Sequence, residues 1–221
     1  MVINSNSKPK TKLLIAAAMA LSAGLFAMPA GAVVILPGAP ASPTDGLGSF
    51  SGTQLYDVTT PYSANLSSFS GNLEAAVYRE SDGYLDFVYQ FTNTNNPNND
   101  TIETFVASDF SGYSIDADDE AVGGDISPAT VQSSPGPGPD AGANITFSFK
   151  SPSPGVDPGQ SSDILIIHTN ATNYDVLGNV SLQDSGQANI VTPEPVPEPA
   201  SAAMLTLALS ALTIRRNRSA R

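Results

Sequence analysis

The chain has no cysteine, no tryptophan and a single histidine, and it carries nine basic residues against 21 acidic ones over 221 positions. Each scarcity excludes something. Without cysteine there is no disulfide framework and no thiol nucleophile, so an exported form must rest on core packing. Without tryptophan the usual stacking platform for sugars is missing. The basic residues also lie at the ends: Lys8, Lys10 and Lys12 at one, Arg215, Arg216, Arg218 and Arg221 at the other, with only Arg79 and Lys150 between. So few cations cannot neutralise a phosphate backbone, which argues against nucleic-acid binding. Divalent cations or basic partners suit this body better. No Gly-x-Ser-x-Gly elbow, Walker A loop or His-Glu-x-x-His signature occurs. Acidic pairs of the kind a two-carboxylate glycosidase uses are so numerous that they discriminate nothing. The expectation is a protein without catalysis.

What is present is concentrated at the two ends. The N-terminus has a lysine-bearing start, an apolar run from Leu13 to Met28, and Ala30-Gly31-Ala32 as a small-x-small site. That pattern predicts a signal peptide over 1–32, cut by signal peptidase after Ala32. At the other end VPEP precedes fifteen uncharged residues, Ala200 to Ile214, and then the arginines. Fifteen helical residues reach about 22 Å, short of the roughly 30 Å of hydrocarbon in a bilayer. Arginines behind such a segment stay cytoplasmic and leave the acidic body outside. Prolines at 193, 195, 197 and 199 predict a stiff extended stalk over 193–199.

This tail resembles the PEP-CTERM sorting signal of bacterial exported proteins. Tails of this type are also called ice-binding-protein C-terminal domains, a label that carries no activity; no Thr-x-Thr ladder is visible here. The resemblance implies recognition by an exosortase, a membrane protease-transpeptidase that cuts near Pro-Glu-Pro, after transient insertion in the inner membrane. It further implies delivery to the cell surface or an exopolysaccharide matrix; the apolar segment is a transient or a permanent membrane anchor, an ordinary single-pass anchor being the alternative. Carried onto this chain, the motif is Pro197, Glu198 and Pro199, with Arg215, Arg216 and Arg218 as the basic end. Pro193-Glu194-Pro195 is a second copy, which leaves the cleavage register open.

The body, 33–192, reads as strands separated by Asn-, Ser-, Gly- and Pro-rich breaks. NLEAAVYRE alternates, SDG forms a hairpin-type turn, and YLDFVYQF places Leu85, Phe87, Tyr89 and Phe91 on one face. IETFVA, ITFSF, DVLGNVSL and QANIVT are further strands, and DILIIHTN, apolar on both sides, reads as a central buried one. No segment has the period of an amphipathic helix, and no solenoid repeat occurs. The predicted fold is all-β, an antiparallel β-sandwich or jelly roll. Its core is expected to include Leu85, Phe87, Tyr89, Phe91, Phe147, Phe149, Ile164 and Ile166. GYLDFVYQFTN, FVASDFSGYSIDAD and PGQSSDILIIHTNATNY are similar to the bodies of small PEP-CTERM proteins, which have β-sandwich-like domains and no assigned activity.

Candidate sites are few. His168, inside an apolar run, is expected to be packed or at an edge, not catalytic. The densest acidic stretch, SIDADDEAVGGD, reads as a loop whose Asp116, Asp118, Asp119, Glu120 and Asp125 offer oxygen ligands to Ca²⁺, although the spacing is not that of an EF-hand. Two functions remain. One is a structural or interaction protein of the cell surface or matrix. The other is a carbohydrate-binding module or adhesin that holds exopolysaccharide through Tyr84 and Tyr113.

Overall fold

Strong alternation between apolar and polar residues drives most of the chain into strands, because a pleated strand sends successive side chains to opposite faces. The computed structural model describes residues 33–34, 52–94, 96, 98–121, 125–135 and 142–197. The residues through 32, Glu198 and Pro199 of the sorting motif, the apolar segment and the arginine tail lie outside the described residues.

In chain order the strands are β1 (Val33–Val34), β2 (Thr53–Ser63), β3 (Ser70–Arg79), β4 (Leu85–Asn93), β5 (Thr104–Ala107), β6 (Ile115–Glu120), β7 (Thr130–Ser133), β8 (Ile145–Ser148), β9 (Ile164–Thr169), β10 (Tyr174–Gln183) and β11 (Gln187–Pro195), with one 3₁₀ turn at Asn65–Ser67. They form a six-stranded sheet, β1-β6-β9-β4-β3-β2, and a five-stranded sheet, β11-β10-β5-β8-β7. All the strand pairings within both sheets are antiparallel. The β3–β4 hairpin closes through Gly83 N–H to the Glu80 carbonyl at 3.0 Å, with Gly83 at φ 92°, a left-handed conformation that glycine adopts without a Cβ penalty.

One core joins the two sheets. Leu73, Phe87, Leu165 and Ile167 from the first pack with Phe105, Phe147, Val180 and Leu182 from the second, all essentially without exposure. This is a two-layer all-β architecture, and the sandwich reading fits it. Leu85, Phe87, Tyr89, Phe91, Phe147 and Phe149 are core residues, as expected. Ile164 and Ile166 are not in that core. They lie on the outer face of β9 in a second small cluster with Ala76, Val88 and Tyr78, while Leu165 and Ile167 enter the main core. A strand apolar on both sides gives no phase by which to choose.

Three strands arise where alternation is weak. β2 is an edge strand, largely exposed on alternate positions, and an edge tolerates its Pro61 because only one side is paired. β7 has four residues. β6 is the acidic stretch itself: Asp116, Asp118 and Asp119 are buried in a strand, not solvated in a loop.

The end of the body also differs from the boundary at 192. β11 continues to Pro195, with Glu194 opposite Asp175 and Pro195 opposite Tyr174. Tyr89 donates its hydroxyl to the Pro193 carbonyl at 3.3 Å. Pro193 and Pro195 keep residues 193–195 extended, as part of an edge strand rather than of a stalk.

Candidate functional site

The strand alternation of β6 divides the proposed calcium ligands. Ile115 and Ala117 face the core, so Asp119 shares their side, opposite core residue Leu165. Asp116, Asp118 and Glu120 occupy the outer face, opposite His168, Ile166 and Ile164. Asp118 Oδ1 accepts the Asp119 amide at 2.9 Å, and Asp125 takes the Gln90 side-chain amide at 3.0 Å on another segment. The five carboxylates therefore do not form one cradle. Among the described residues no group of three His, Cys, Asp or Glu side chains is arranged to hold a metal ion.

Instead, β6 aligns its acids with the only histidine. His168 sits on β9 between β6 and β4, with Asp116 in register on one side and Asp86 on the other. His168 Nδ1 lies 2.9 Å from Asp86 Oδ1. The pair is 82 positions apart in sequence, so no local signal announces it. His168 is mostly buried, with 13% of its side chain exposed, so it is packed as expected, but it lies on a central strand with Asp86 against its Nδ1.

The two tyrosines chosen as sugar contacts lie at the same end of the six-stranded sheet, on either side of β9. Tyr84 is half-buried, with its amide bonded to Asp82 Oδ1 at 3.0 Å in the β3–β4 turn. Tyr113 packs against the core, and its hydroxyl is buried without a partner. Neither stands on an open sheet face. The tyrosine that does is Tyr78, beside a shallow groove lined by Glu74, Ala76, Val88, Gln90 and Ile164. Gln90 is fixed there by bonds to Asp125 and to the Ser162 carbonyl.

At the other sheet's edge three acids meet. Glu194 on β11 faces Asp175 on β10, and Asp109 approaches at φ 74°, a strained value for a residue other than glycine. Burial, then the charges and hydrogen bonds of Asp109 and Asp175, push the Glu194 carboxyl up to about 7. Gly178 makes room, since a Cβ there would lie 2.6 Å from Glu194 Cβ. Because the folded value exceeds that of the unfolded chain, the associated stability is complete at acid pH and is lost as pH rises through about 7. Glu194→Gln, which imitates the protonated acid, is expected to melt several degrees above wild type at pH 8 and level with it at pH 4.5. Melting curves at the two pH values check this; equal differences at both would refute it.

Comparison with protein families, curated proteins and solved structures finds no match for the chain. Among the described residues, no helix is long and apolar enough to cross a membrane.

Proposed function

We propose that this chain is an exported, non-catalytic structural or interaction protein of the cell surface or extracellular matrix, sorted by its PEP-CTERM-like tail. The observation that carries the reading is the order of its parts: a start patterned like a signal peptide, an acidic β body, Pro-Glu-Pro, a short apolar segment and arginines. Two features of the fold support it. β1 begins at Val33, immediately after the small-x-small site, so a cut after Ala32 leaves the whole body intact. The first Pro-Glu-Pro copy is paired within β11, whereas Pro197 follows the last strand and is exposed. A membrane protease needs an extended, accessible chain, so cleavage belongs at Pro197-Glu198-Pro199.

Intact-mass measurement on protein from its native host tests this. The expected product starts near Val33 and lacks Arg215–Arg221. A product that keeps those arginines in cells with an exosortase counts against the sorting reading.

The second reading, a carbohydrate-binding module, is favoured by the groove beside Tyr78. It combines an aromatic wall, an apolar floor at Ala76 and Val88, and hydrogen-bonding groups from Glu74 and Gln90. A glycan array separates the two functions.

A further inference from the structure

The outer face of the six-stranded sheet holds a buried cluster whose charges do not balance. Asp86 on β4, His168 on β9 and Asp116 on β6 form one transverse row, set by strand register. Asp86 is 2 % exposed and Asp116 3 %. Apart from the His168–Asp86 contact, the polar atoms of this row have no hydrogen-bond partner: Asp86 Oδ2, both Asp116 carboxylate oxygens and His168 Nε2 are all buried without one. An ionised carboxylate withdrawn from water is costly unless a positive charge or donors compensate it.

Among the described residues the available compensators are few. Arg79 donates to the Gly83 and Thr172 carbonyls, and Lys150 pairs with Glu103 at 3.6 Å. No three described side chains are placed to hold a metal ion. Within the row itself, a positive charge is at hand in the proton that His168 can carry. Once protonated, the ring donates from Nδ1 to Asp86 and presents a second N–H on its other side, where β6 carries Asp116.

We propose that Asp86, His168 and Asp116 form a proton-operated clamp across β4, β9 and β6, closed while the imidazolium is present and loosened when it loses its proton.

The groups that face the ring decide the sign. β4 supplies Asp86, β6 supplies Asp116 and Asp118, and β3 places Tyr78 opposite Asp86. Val88, Ile166 and Ala76 close the row on one side with apolar surface. Burial alone lowers the His168 pKa, but the hydrogen bond and charge of Asp86, reinforced by Asp116 and Asp118, outweigh it and hold the value above the ordinary one. Asp116 is raised too, by burial, against the pull of the His168 charge. A raised histidine contributes its full stability below the unfolded value of about 6.5 and loses it as pH climbs through the folded value. The raised Asp116 acts in the same direction, since its proton is also favoured by the fold.

The test uses the full chain with Glu194→Gln, which removes the raised carboxyl of β11 from the titration. Because His168 is the only histidine, its Hε1 gives one resonance to follow by NMR. Its midpoint should lie above 6.5 and fall on Asp86→Asn. Hydrogen exchange at β4 and β9 amides, corrected for intrinsic rate, should accelerate about tenfold for each unit by which the midpoint exceeds 6.5 once pH has passed it. A midpoint at or below 6.5, protection unchanged from pH 6 to 9, or a ring that titrates only after EDTA treatment would each overturn the clamp, the last in favour of a bound metal. If Asp86→Asn does not fold, the parent titration and exchange decide alone.

Discussion

Phe105→Ala is expected to lower the stability of the fold by about 3–5 kcal/mol. Phe105 stands on β5 in the centre of the five-stranded sheet and reaches across the core to the other layer. Its ring lies 5.2 Å from Tyr89 and is stacked on Phe91 at 6.1 Å, both on β4; edge-to-face contact with Phe147 on β8 is at 5.9 Å. Truncation therefore removes contacts in both layers at once. The rings around it are themselves fully buried, so they cannot collapse into the cavity without moving two sheets. Against a usual total of 5–15 kcal/mol, such a loss is a large fraction. Urea denaturation measures it, as a lowered midpoint at unchanged slope. A loss under about 1.5 kcal/mol would mean that the two sheets do not meet through this aromatic cluster.

The legibility of this core in the sequence depends on contrast. β8 alternates cleanly and β4 alternates apart from Val88, and that alternation assigns Phe87, Phe91 and Phe147 to an inner face. β9 lacks contrast: Ile164 through Ile167 are apolar throughout, and which pair faces inward is set by the neighbouring strands. β6 misleads outright. Asp116, Asp118 and Asp119 carry the composition of a solvated loop, yet Ile115 and Ala117 are enough to anchor a strand whose acids are then buried with it. His168, in register with Asp116, and Asp86 on the far side of His168 come from distant parts of the chain. Similarly, Glu194 reads as part of a sorting motif, and only the β10–β11 register places it against Asp175. Local pattern identifies strands; side-chain chemistry across strands depends on register, which pattern does not specify.

Gly71→Ala is the second large effect, and its reason is a backbone contact. Gly71 lies on β3 between Tyr62 of β2 and Asn93 of β4. Tyr62 donates its hydroxyl to the Thr92 carbonyl at 2.8 Å, and the path of that side chain runs directly over Gly71. A Cβ at this position would overlap the Thr92 carbonyl oxygen and come within 2.6 Å of the Tyr62 hydroxyl. A flexible side chain could swing aside, but a strand carbonyl cannot move without shifting the sheet. In an open strand, alanine would be the better residue by roughly 0.5–1 kcal/mol, because glycine loses more backbone freedom on folding. Here overpacking reverses the sign and costs about 3 kcal/mol. The companion Tyr62→Phe should lose only about 1 kcal/mol, the usual net worth of one hydrogen bond. Combining the two should leave most of the alanine penalty in place, because the carbonyl overlap remains when the hydroxyl is gone. Thermal melting of the two single variants and the double variant checks the sequence of effects. A Gly71→Ala protein as stable as wild type would show that β2 and β4 do not approach β3 this closely. Full rescue by Tyr62→Phe would move the origin of the clash from the Thr92 carbonyl to the tyrosine.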